Sequence, residues 1–188
     1  VADTRLLLIN LILYGLLPLW GITGFIDWWC HRRSRIEETT GLKESLAHSV
    51  MGLQLGIPIV MGLVFEINVL ILLICFAALL SHSAVAHWDV RYSTPKRHIT
   101  VWETHVHAYM ATIPFFILLL IMIINWDVVI TLISFDWQGQ FSLEPTGNAQ
   151  VTSAYRRGYL LFMTVFCVFP YVEENLRCYL AERRARRA

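Results

Sequence analysis

All seven histidines of this 188-residue chain lie between His31 and His107, and carboxylates accompany them at a repeated spacing. Asp27 and His31, Glu44 and His48, and Glu103 and His107 are each four residues apart. On a helix that spacing stacks both side chains on one face, one turn apart. His82 and Asp89 share a face of another segment, while His87 points elsewhere unless that helix end unwinds. Imidazole and carboxylate together suit iron, manganese or zinc. Helix bundles build such centres from inward Glu and His side chains on facing helices. The proposed ligands are Asp27, His31, Glu44, His48, His87, Glu103 and His107, with His82, Asp89 and Glu173 in reserve. They exceed what one ion needs. Three or four carboxylates would balance much of the charge of two divalent ions, so the expectation is a two-metal centre with iron favoured. Zinc is one alternative cofactor. Haem held by an axial pair such as His48 and His87 is another.

Each residue also has a plainer explanation. Asp27 could be an interfacial carboxylate beside Trp28. Glu44 would meet the dipole favourably at a helix start. Glu103 completes a capping box with Thr100, which by itself accounts for a glutamate there. His105 faces away from Glu103, and His98 follows Arg97 in a basic loop and is expected to be solvated. The three-fold recurrence of carboxylate and histidine one turn apart is what tips the balance toward ligation. An ionisable group in hydrocarbon is costly and is normally paired or functional.

The elements that must position these residues are apolar. The chain is 56% hydrophobic with a mean hydropathy of +0.55, and its apolar residues come in long runs. About 20 such residues cross a bilayer as a helix. The expected fold is an all-α integral membrane protein, one transmembrane domain over 1–188, with about five spans near 6–26, 46–65, 69–87, 101–124 and 155–178. The first run is read as a retained span. It is too long for a signal-peptide core and has no clear small-residue cleavage site. Glu66-Ile67-Asn68 should form a tight turn between spans two and three, and Val128–Phe135 is too short to cross and should lie at the interface. The stretch Gly158–Val172 is short for a span, so the fifth helix must extend. If it runs past Val172, Glu173 and Glu174 enter the histidine layer; if it runs back through Tyr155, both face water. Gly52 and Gly56 lie below Glu44 and His48 on one stripe, spaced to let a neighbouring backbone approach.

Charge sorts by side. Arg32, Arg33, Arg35, Lys43, Arg91, Lys96, Arg97, Arg177, Arg183, Arg184, Arg186 and Arg187 fall on the histidine side, against Arg5, Arg156 and Arg157 on the other. By the positive-inside rule the histidine side and the C-terminus are cytoplasmic and the N-terminus is outside. The short loops suggest a bacterial inner membrane. Net charge is only +1, so no pull toward nucleic acid is expected. The four cysteines lack paired spacing and read as reduced, structural thiols.

The histidine and carboxylate pairs at the ends of apolar spans resemble the histidine-rich integral-membrane di-iron oxygenases of the fatty-acid desaturase and hydroxylase type. The resemblance covers topology and residues Asp27–His107 and is one of chemical strategy, because the HxxxH and HxxHH boxes of that group do not occur here. It implies an oxidoreductase that activates oxygen on a pair of irons, acts on a lipid, isoprenoid or quinone, and draws on an electron donor. Three other functions compete: an accessory subunit of a larger membrane complex or oligomer with a structural metal site, a zinc-dependent membrane hydrolase, and a haem-binding membrane subunit.

Overall fold

Proline and the helix geometry around it shape the two longest rods of the molecule. Pro18 and Pro170 each sit early in a helix and lack the N–H that would continue the preceding turn. In both places a wider π turn comes just before the proline and carries the helix through. The first rod is α1 (Ala2–Asn10), a π turn (Leu11–Leu16) and α2 (Leu17–Ser34). The structure, a computed structural model, describes residues 2–187.

Arg35 adopts a left-handed conformation, φ 54°, and stops α2. The short α3 (Ile36–Thr39) follows, and Gly41 at φ 69° turns the chain into α4 (Leu42–Val64). The expected turn at Glu66-Ile67-Asn68 is present, and the Asn68 side chain accepts a hydrogen bond from Ile71 N to open α5 (Val69–Ser93). Thr100 caps α6 (Val101–Ile124) by accepting from Glu103 N. Only that half of the capping box forms, because the Glu103 carboxylate turns inward to other partners. The short α7 (Trp126–Ile133) overlaps the segment 128–135 that is too short to cross, and a loop then ties back onto the α4–α5 turn through Glu66 N to Glu144 O and Thr146 N to Val64 O. The second rod is α8 (Ser153–Met163), a π turn (Thr164–Val168) and α9 (Phe169–Ala185).

Four helical stretches are long and apolar enough to cross a membrane: Thr4–Ser34, Leu42–Val64, Val69–Ser93 and Val101–Ile124. The rod over 153–185 is not apolar enough, since Arg156, Arg157, Glu173 and Glu174 crowd its uncharged centre. It extends in both of the directions that the sequence left open. The fold is all-helical; among the described residues the only bridge is an isolated one between Phe65 and Pro145.

The rods pack α2 against α6, α4 against α5, and α9 against α2, α3 and α4. Glycine decides how near the second rod comes, at α9 and at α8. A Cβ at Gly52 would lie 2.4 Å from the Tyr171 ring, and one at Gly21 would lie 2.5 Å from Phe162. The core cluster around Leu13, Leu17, Trp20, Leu55, Ile113 and Tyr159 fills the end away from the histidines. Large side chains such as Leu53, Leu80, Phe116 and Leu161 are exposed on the outer surface.

Candidate metal centre

Two helix pairs build the centre, with α9 between them. From the first pair, α2 supplies Asp27 and His31 and α6 supplies Glu103 and His107. His31 Nε2 is 3.6 Å from Asp27 Oδ1 and 3.3 Å from Glu103 Oε1, and His107 Nε2 is 3.0 Å from Asp27 Oδ1. From the second pair, α4 supplies Glu44 and His48 and α5 supplies Asp89. His48 Nε2 is 3.5 Å from Asp89 Oδ2 and 3.9 Å from Glu44 Oε1.

Glu174 on α9 joins the halves. Its Oε2 lies 3.1 Å from His31 Nδ1 and its Oε1 lies 2.9 Å from His48 Nδ1. The two imidazoles stack at 4.4 Å between centroids and 13° between planes. One carboxylate thus accepts from both Nδ1–H groups and turns both Nε2 atoms outward, each toward its own carboxylates. A carboxylate behind a histidine that fixes ring orientation in this way is a recurrent feature of metal sites.

The donor set fits metal ions. His31 Nε2, His48 Nε2, Asp27 Oδ1, Asp89 Oδ1 and Glu103 Oε2 are buried and have no hydrogen-bond partner. Buried polar atoms are nearly always satisfied, and these five are atoms that a cation could satisfy. Two ligand atoms each about 2.1 Å from one ion lie roughly 3.0–3.4 Å apart, close to the separations found here. The groups Asp27–His31–Glu103–His107, His31–His48–Glu174 and Glu44–His48–Asp89 each bring their ligand atoms within 4.8 Å of one another.

Arg97 completes the charge pattern. It is buried in the loop between α5 and α6 and bonds Glu44 Oε1 at 2.6 Å and also Glu103, one carboxylate from each half. Burial alone would disfavour its charge, but the Glu103 and Glu44 carboxylates outweigh that and raise its pKa above the ordinary arginine value. Asp27, Glu44, Asp89, Glu103 and Glu174 are all buried, and Arg97 offsets one of the five. The net four negative charges equal what two divalent ions carry. Charging the stacked histidines instead would set two like charges in contact in a poorly solvated layer.

The remaining candidates lie outside this layer. Glu173 faces outward, accepting from Trp28 Nε1 at 2.8 Å and from Arg32 and Arg177; its neighbour Glu174 holds the central position. His87 is exposed, and His82 is buried deeper along α5. Both line a cavity of about 400 Å³ that opens beneath the centre, walled also by Trp20, Met51, Ala86, Ala111 and Tyr171. His105 is exposed and bonds within its own helix to Val101 O, and His98 is exposed as expected. All four cysteines are free. No known family model, curated protein or solved structure matches this chain.

Proposed function

We propose that this chain is a membrane-embedded metalloprotein whose buried layer binds two divalent ions, iron favoured, and works as an oxidoreductase of the hydroxylase or desaturase type on a lipid-like substrate. One observation carries the proposal. A single carboxylate, Glu174, orients two stacked histidines so that their free Nε2 atoms face two separate carboxylate sets, and none of those Nε2 atoms has another partner. Asp27, His31, Glu103 and His107 would hold one ion; Glu44, His48 and Asp89 would hold the other, which leaves it open to a further ligand. A pair of iron ions supplies oxygen activation at such a centre. The protein's own part is to fix ligand geometry, keep the layer dry with α9, and present the cavity under it to an apolar chain.

Five spans, with the rod over 153–185 as the fifth, accord with this reading. Its uncharged stretch of fifteen residues, Gly158–Val172, is about 22 Å long, short of the ~30 Å hydrocarbon core. Glu174 narrows the gap, lengthening the stretch to about 25 Å, since its charge is met inside the protein by His31 and His48. The outward Leu and Phe side chains suit lipid contact. The distribution of Arg and Lys favours a cytoplasmic centre with the N-terminus outside, as in a bacterial inner membrane. Haem ligation fits less well, because His48 is stacked on His31 and His87 is exposed.

The test is metal content per chain and an absorption spectrum on protein purified in mild detergent without chelator. Two irons per chain without a haem band is the expected result, followed by oxygen uptake with lipid substrates and a reductant. One zinc would move a membrane hydrolase to first place, and a Soret band would indicate haem. No metal in folded protein would overturn the proposal and leave an accessory subunit of a larger complex as the better account.

A further inference from the structure

Two buried nitrogens of residues lining the cavity beneath the centre have no hydrogen-bond partner and belong to no ligand group, Trp20 Nε1 and His82 Nδ1; the imidazole sits deeper along α5 than the layer. His82 is 7% exposed, lines the cavity, and its Nδ1 has no hydrogen-bond partner. It belongs to none of the three ligand groups. It lies seven residues before Asp89 on the same face of α5, so it sits about 10 Å deeper along the helix axis. The wall around it is apolar or aromatic: Trp20, Met51, Ala86, Met110 and Tyr171. Its volume, about 400 Å³, falls in the range of small-molecule sites. A buried imidazole nitrogen left unpaired in such surroundings is costly, and a ligand oxygen is the group that would satisfy it.

We propose that the cavity binds a neutral, chain-like molecule carrying one hydroxyl or carbonyl oxygen, and that His82 anchors this oxygen by a hydrogen bond about 10 Å from the metal layer. The anchor would set which carbon of the chain reaches the centre. The inference deepens the functional reading by naming the substrate class of the same site. Binding itself needs no metal, so the two can fail separately.

The experiment uses the full chain in detergent, with and without chelator, and two probes of equal chain length: ω-bromo-undecanol and bromoundecane. Bromine quenches tryptophan fluorescence, and Trp20 and Trp28 line the cavity. The alcohol should quench with about fivefold tighter half-saturation than the bromoalkane, the worth of one neutral hydrogen bond. In His82→Leu the two probes should become equal, bromoalkane binding should persist, and metal content should match the parent protein. Equal affinities in the parent protein, or an alcohol preference that survives in His82→Leu, would overturn the anchor. Loss of metal in that variant would do the same by making His82 a ligand. Should His82→Leu fail to fold, Ala86→Phe decides the matter in the parent background. Filling the cavity must abolish the alcohol preference, and a preference that remains refutes it.

Discussion

The two halves of the centre have the same plan and different completeness. Each takes a carboxylate and a histidine one turn apart from one helix and a further carboxylate from another. The α2–α6 half adds His107, whose side chain is 26% exposed at the cavity edge, and so reaches four donors. The α4–α5 half stops at Glu44, His48 and Asp89, all nearly sealed from solvent. Four protein donors can close a tetrahedral shell, whereas three leave a position open. Under the proposed function, the first half would hold its ion firmly and the second would offer a vacancy beside it. What unites them is Glu174, which fixes both histidines, and Arg97, which bonds one carboxylate of each.

The largest expected effect removes what the halves share. Glu174→Gln keeps size but cannot accept from both Nδ1–H groups with full charge. Affinity for both ions should fall about 10–100-fold, measured by competition against a chelating dye. Glu173→Gln, one residue away and facing outward, should leave both affinities unchanged. Equal losses in the two variants would mean that the central carboxylate is misassigned.

Arg97→Gln breaks the second shared element. Glu44 and Glu103 would lose their cation inside the protein, which typically costs about 3–5 kcal/mol. The loss should be largest after chelation, when no metal charge compensates. Thermal unfolding with and without chelator reads this, and an equal loss in both states would show that Arg97 and the ions do not share the carboxylates.

Smaller and more selective effects should separate the halves. His107→Ala should lower only the α2–α6 ion, and Asp89→Ala only the α4–α5 ion, so each variant keeps one ion per chain under limiting metal. If either variant loses both ions, the halves form one inseparable cluster. If His107→Ala loses none, the first half is no more complete than the second.

Much of this was legible in the residues themselves, because helical periodicity is local. The one-turn pairs Asp27–His31, Glu44–His48 and Glu103–His107 needed only a helix to align them, and apolar runs guaranteed the helices. The shared face of His82 and Asp89 follows from the same rule, and the turn at Glu66–Asn68 from its polar residues. The Thr100–Glu103 capping pattern is also local, yet only its backbone half formed, because Arg97 offers the carboxylate a stronger partner than a backbone amide.

The tertiary structure decided what local rules cannot reach. Adjacent residues on a helix differ by about 100° in direction, so choosing Glu174 over Glu173 required the rotation of α9. That rotation is set by packing against other helices, through Tyr171 against Gly52 one turn from Glu174 and, further along the same rod, Phe162 of α8 against Gly21. Arg97 lies 53 residues from Glu44 and reads in sequence as one basic loop residue among several. Only closure of the α5–α6 loop over the bundle turns it inward. His87, strong by composition and span position, stays exposed at the cavity wall and outside the ligand groups because α5 remains helical through Ser93. Periodicity can say which residues share a helix face; which face meets which neighbour depends on contacts between helices distant in the chain, and those exist only once the bundle has packed.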